Sequence, residues 1–228
     1  MRVVTYKNTS YEIERARPSM AILGVGGLEY ISDDLPLGTN LLLVGEIARC
    51  IADVLDARTY LLPVFPFGLP ARDRRGSGTL TVRYQTLMNV IRDVVCSLYA
   101  QGIRQVVIIN GLGKVGGNKI IPYGNLSVKT SVRQINYEFL EGKTIWLQPV
   151  VIAQQELIQI LGSPKAGLVE RALMLKLQPQ LVKDKMEVDL EQATAVLNAI
   201  VQRSAEYINR TLANLAAIKG GIKRDARS

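Results

Sequence analysis

The sequence predicts a three-layer α/β/α domain on a mainly parallel central sheet, and three observations carry that prediction. Short apolar runs rich in strand formers, such as Ala21–Val25 and Gln105–Ile109, alternate with longer segments whose apolar residues recur every three or four positions. The runs are apolar throughout rather than at every second residue, the pattern of strands covered on both faces. Two of them end in glycine-bearing turns, around Gly24–Gly27 and at Asn110–Gly113, where the backbone can turn sharply at a strand's carboxyl end. Strand and helix repeated in this order wrap by right-handed crossovers and cover both sides of a sheet.

Taken in order, residues 10–17 (SYEIERAR) read as a short helix leading into a strand at Met20–Val25. Thr39 or Asn40 is the expected N-cap of the next helix, in which Leu43, Ile47, Ile51 and Leu55 keep helical spacing. Thr59–Phe65 is a strand made irregular by Pro63, and residues 69–81 (LPARDRRGSGTLT) form a long polar loop. Leu87, Val90, Ile91, Val94, Val95 and Leu98 lie on one face of a helix that Gly102 stops. Gln105–Ile109 is the third strand, Ser127–Leu140 a helix and Thr144–Ile152 a fourth strand; helical patterns then cover about 165–177 and 189–217. No internal repeat or linker divides the chain. The expected organisation is one domain over residues 1–218 and a basic tail over 219–228.

Composition removes several chemistries. The chain of 228 residues contains no histidine, so neither an imidazole metal ligand nor a Ser–His or Cys–His pair is available. Cys50 and Cys96 fall within helical patterns, as buried free thiols do. The polar N-terminus and the lack of an eighteen-residue apolar run predict a cytoplasmic protein with no membrane partner. A net charge of +8 favours acidic partners in general, but no aromatic platform accompanies the basic tail, and nucleic acid is not an expected ligand. Neither glycine-rich turn matches a dinucleotide fingerprint or a P-loop. Ser77 or Ser163 with Lys114 or Lys165 is the remaining nucleophile arrangement.

In a parallel α/β sheet the ligand crevice lies beyond the carboxyl ends of the strands. That nominates residues 26–40, 66–77, 110–118 and 153–165. Glu29 is the first ionisable group past the first of these strand ends. Arg72, Arg74 and Arg75 form a compact basic loop, readable as a phosphate, carboxylate or acidic-protein contact or as a solvated surface.

The segment from Ala21 to Asn40, with Leu35-Pro-Leu-Gly-Thr39 at its centre, resembles the creatininase (creatinine amidohydrolase) family, as do Gly76–Leu80, Asn110–Gly111 and Lys165–Ala172. The similarity spans about residues 10–212. It implies the family's α/β/α fold and a two-metal centre whose ligands are Glu, His and Asp residues. Aligned on the family pattern, Glu29 keeps its place, Ile31 stands for a histidine and Asn40 for an aspartate. Leu112 stands for the histidine after the third strand, Lys165 for a further histidine and Leu168 for a glutamate, while Glu170 keeps a second glutamate.

Ile31, Leu112 and Leu168 have no atom that coordinates a metal, and the neutral Asn40 is a poor bridge between two divalent ions. The resemblance therefore implies a family member that has lost the amidohydrolase centre and binds no cofactor. Such a chain would serve as a non-catalytic binding or assembly subunit, with Arg72, Arg74, Arg75, Asn110 and Lys165 as its ligand-binding set. Its expected assembly is a homo-oligomer, in this family commonly a ring-like hexamer, or a hetero-oligomer with an active paralogue. The alternative is a hydrolase of cyclic amide or formamide C–N bonds. There Glu29 would act as general base, Lys165 or an arginine of the 72–75 loop would stabilise the oxyanion, and Mg, Mn or Zn would occupy an altered site. One such site would use the oxygens of Glu29, Asp33, Asp34, Asn40 and Glu170.

Overall fold

A computed structural model describes residues 2–68, 78–111, 114–116, 119–121, 125–139, 141–162, 167–183 and 189–225, with backbone alone at 114–116, 119–121, 125–128 and 215–225. Five parallel strands form the central sheet in the order β1 (Val3–Thr5), β3 (Thr59–Leu61), β2 (Met20–Val25), β4 (Gln105–Asn110) and β7 (Lys143–Leu147). A separate antiparallel pair, β5 (Lys114–Gly116) and β6 (Lys119–Ile121), follows β4. The helices are α1 (Ser10–Ala16), α2 (Thr39–Val54), α3 (Tyr84–Ala100), α4 (Asn125–Glu138), α5 (Pro149–Ile152), α6 (Gln154–Leu161), α7 (Leu168–Leu177) and α8 (Leu190–Asp225).

Strand periodicity sorts the core into two layers. Met20 and Ile22 of β2, with Val107 and Ile109 of β4, join Leu43, Ile47 and Ile51 of α2 and residues of α7 and α8 in one cluster. Ala21, Leu23 and Val25, with Val106 and Ile108, join Leu87, Ile91 and Val95 of α3 and Val132 and Ile135 of α4 in the other. Every β2 residue is buried, which is why its sequence is apolar throughout. Each large aliphatic side chain so buried contributes about 1.5–3 kcal/mol, and together they hold the strand ends at a fixed height.

The observed elements correct the sequence reading in places. The fourth strand ends at Leu147, and Pro149–Ile152 is helical. Pro149 is in the first turn, where its missing N–H costs nothing and its fixed φ suits a helix. Regular pairing of β3 stops at Leu61, before Pro63, and the strand reaches β2 again only at a bridge between Phe65 and Val25. Strand β1, the β5–β6 pair and helix α6 are additional. Helix α8 runs on to Asp225, past the expected end at Ala217.

Helix α2 also starts differently. Gly38 occupies the N-cap without a side-chain hydrogen bond, and Thr39 donates its hydroxyl to the Pro36 carbonyl at 2.6 Å. Asn40 lies inside the first turn rather than capping it, so its amide is available to the crevice. Strand β2 and helix α2 meet so closely that a Cβ at Gly26 would lie 2.7 Å from the Leu41 Cα and 2.9 Å from the Asn40 carbonyl oxygen. Gly26→Ala is therefore expected to destabilise the fold by about 1–3 kcal/mol, measured by urea unfolding; a change below about 0.5 kcal/mol would contradict this packing.

Candidate functional site

The crevice is built where β2 and β4 end. Asn110 closes β4 opposite Val25, half-buried, and the Gly111 N–H donates to the Val25 carbonyl at 2.7 Å. A Cβ on Gly111 would stand 3.8 Å from the Asn40 Cβ, so the end of β4 lies against the first turn of α2. The loop after β2 is held from two sides. Glu29 N–H donates to the Leu37 carbonyl and Leu80 N–H to the Leu28 carbonyl, each at 3.0 Å, and Tyr30 N–H donates to Thr79 Oγ1 at 3.1 Å. Leu37 packs where Gly78, at φ 92°, leaves room for it. Leu35–Thr39 and Gly78–Leu80, separate in sequence, thus form one framework around Glu29.

Within that framework the Asn40 amide donates a hydrogen bond from Nδ2 to Oε1 of Glu29. Asn40 is only 3% exposed, and its Oδ1 is buried without a partner among the described residues. Glu170, in the first turn of α7, is likewise 3% exposed, and its Oε2 is buried and unpartnered. Burial raises the Glu170 carboxyl from 4.5 to about 7; its own backbone N–H and Arg171 oppose the rise, and the negative charge of Glu29 adds to it. Ile31 is half-buried and packs towards Gly167, whose added Cβ would lie 3.7 Å from Ile31 Cγ2. Leu168 is half-buried at the start of α7.

A family model described as creatinine amidohydrolase matches residues 7–215. The chain belongs to the creatininase family. A creatinine amidohydrolase of Pseudomonas putida is 26% identical over 188 residues, 76% of this chain and 70% of that protein. A solved putative creatinine amidohydrolase from Bacteroides fragilis superposes with a TM-score of 0.74 at 17% identity, covering 91% of this chain and 96% of that one. A manganese creatininase structure gives 0.72 at 17% identity over 92% and 98% of the two chains, and a Zn–Zn type mutant creatininase gives 0.71 at 16% over 92% and 99%.

Of the residues predicted from sequence, the creatininase fold brings Glu29, Asn40, Ile31, Asn110 and Glu170 to one end of the sheet. Arg72, Arg74, Arg75, Leu112 and Lys165 lie outside the described residues, as do Ser77 and Ser163, and only the backbone of Lys114 is described. The five-member oxygen site does not assemble. Asp34 is held by Arg171, whose Nε and Nη2 each donate at 2.5 Å, and Asp33 accepts from the Tyr30 hydroxyl at 3.1 Å. Among the described residues no group of three or more His, Cys, Asp or Glu is placed to hold a metal ion. No described helix is long and apolar enough to cross a membrane.

The Asp34–Arg171 pair, which ties the crevice loop to α7, was not singled out in the sequence reading, because 137 positions separate its partners. Hydrogen bonds from Arg171 hold the Asp34 carboxyl down from 3.8 to about 2. The stabilisation is complete above the ordinary value of 3.8 and is lost as pH falls through about 2. Asp34→Asn should lower unfolding free energy by about 1–3 kcal/mol at pH 7, with the difference fading in acid; an unchanged gap at pH 2 would contradict it. Glu170 has the opposite sign. Its raised value makes unfolding release a proton between 4.5 and about 7, so stability falls as pH rises through that window. Glu170→Gln should flatten this part of the stability profile, and a retained slope would assign it to another group.

Proposed function

We propose that this chain is a creatininase-family protein without the two-metal amidohydrolase centre, serving as a non-catalytic binding or assembly subunit. The hydrogen bond from Asn40 to Glu29 carries this reading. An ionised carboxylate only accepts, so the amide must present its NH2 to Glu29, and turning it over would set acceptor against acceptor. At the place where the family pattern has a bridging carboxylate, Glu29 is thus met by a donor hydrogen instead of a second anion. Ile31, beside it, has no lone pair. A two-metal hydrolase needs roughly three ligands for each ion and a negative bridge, and these residues do not fit one. Binding or assembly is supported by the apolar rim around the loop, where Tyr30, Leu80 and Tyr84 remain 38–47% exposed. The occupant of that rim would be a second copy or an active paralogue.

One observation favours a second reading, hydrolysis of cyclic amide or formamide C–N bonds. Glu29 and Glu170 are two carboxyls in different environments, one half-exposed and one buried and raised to about 7, the arrangement that separates a base from an acid. Assays with creatinine and with formamide substrates, in magnesium, manganese or zinc, separate the two readings. The non-catalytic reading expects no turnover above that of Glu29→Gln. Metal-dependent turnover that Glu29→Gln abolishes would contradict it.

A further inference from the structure

Of the segments that the sequence nominates beyond the strand ends, the one after β7 opens on a second concavity. Helices α5 and α6 meet at the buried Ala153, and both pack on α8, where Ser204, Ala205 and Ile208 are buried. Between the α5–α6 bend and α8 lies a groove of about 790 Å3. That volume falls in the range of clefts that hold small molecules, roughly 300–1,000 Å3. None of its lining residues belongs to the crevice around Glu29.

The charges of the groove are sorted unevenly. Glu206 stands four residues before Arg210 on α8, the spacing of a helical ion pair, yet it accepts from Arg203 Nη1 at 3.0 Å. Glu156 of α6 takes the rest of the Arg203 guanidinium, with Nε donating at 2.5 Å and Nη2 beside the same oxygen. Arg203 thus occupies both carboxylates of the groove. Arg210 is left with the ring of Tyr207, whose centroid is 5.9 Å from the guanidinium carbon, and no carboxylate pairs with it among the described residues. Contact with the ring supports the guanidinium and leaves its N–H fork for a planar anion. Val151, 38% exposed, and the half-buried Ile152 make an apolar wall in the same groove, and the other lining side chains are neutral amides.

Charge and surface together narrow the ligand. A phosphate would suit the fork, but it would bring a second negative charge towards Glu156 and Glu206 and leave the apolar wall wet. A carboxylate carries one charge, meets the fork with two oxygens and can carry a body that covers the wall. We propose that this groove binds a small carboxylate with an apolar body, its carboxylate on Arg210 and its body against Val151 and Ile152. The site is separate from the crevice and does not depend on whether Glu29 holds metal.

The test is thermal unfolding of the full chain in sodium benzoate, acetate and phosphate at matched ionic strength, with benzamide as the neutral counterpart of benzoate. A saturable rise in Tm with benzoate is expected, smaller with acetate and absent with benzamide. Arg210→Gln, a change at an exposed position, should weaken the benzoate response about tenfold or more. Arg133→Gln removes the same charge from an exposed site on α4 outside the groove and should leave the response unchanged. A response as large with phosphate or benzamide as with benzoate would overturn the proposed ligand class. No response to benzoate, one that Arg210→Gln leaves intact, or one that both variants weaken equally would overturn the site.

Discussion

The crevice of this protein is organised by one hydrogen bond, from the amide of Asn40 to the carboxylate of Glu29. It joins the loop that leaves β2 to the first turn of α2, and in the proposed reading it stands where the creatininase family pattern places two anions around metal. Two carboxylates brought this close need a cation between them, because their mutual repulsion and the loss of water are otherwise uncompensated. An asparagine in place of one of them removes that need, since its NH2 supplies the positive end of a dipole. In the reading proposed above, the family frame is kept while the electrostatic demand for metal is reduced.

The rest of the structure holds those two residues in place. Alternating residues of β2 and β4 anchor the sheet to α2, α7 and α8 on one face and to α3 and α4 on the other, so the strand ends have little freedom. Gly26 and Gly111 let the strand ends approach Asn40, while the 78–80 segment and the Asp34–Arg171 pair pin the loop between them. These contacts hold the loop through the chain's own residues and support the proposed reading of the crevice as a binding site.

Much of the fold was legible because it follows from periodicity. The helical stripe at Leu87–Leu98 and the apolar runs at Met20–Val25 and Gln105–Ile109 appear where their spacing puts them, the last extended by one residue to Asn110. Proline chemistry explains two misses: Pro63 interrupts strand pairing, and Pro149 begins a helical turn within what reads as a strand. The three-residue β1 and the β5–β6 pair are too short to show a period. For the site, Glu29 is legible as the first ionisable group past a strand end and Asn40 and Glu170 from the family pattern, but not what they do to one another. The turn of the Asn40 amide towards Glu29, the full burial of Glu170 and the pairing of Asp34 with Arg171 depend on contacts across the chain that no local pattern encodes.

Whether Glu29 and Asn40 take part in a metal centre is read from metal content. The protein would be incubated with zinc, manganese and magnesium, desalted, and measured by inductively coupled plasma mass spectrometry. Metal far below one ion per chain, unchanged in Glu29→Gln, is expected. Retention of one or two ions per chain, lost in Glu29→Gln, would contradict it and show that this crevice rebuilds a centre from other ligands.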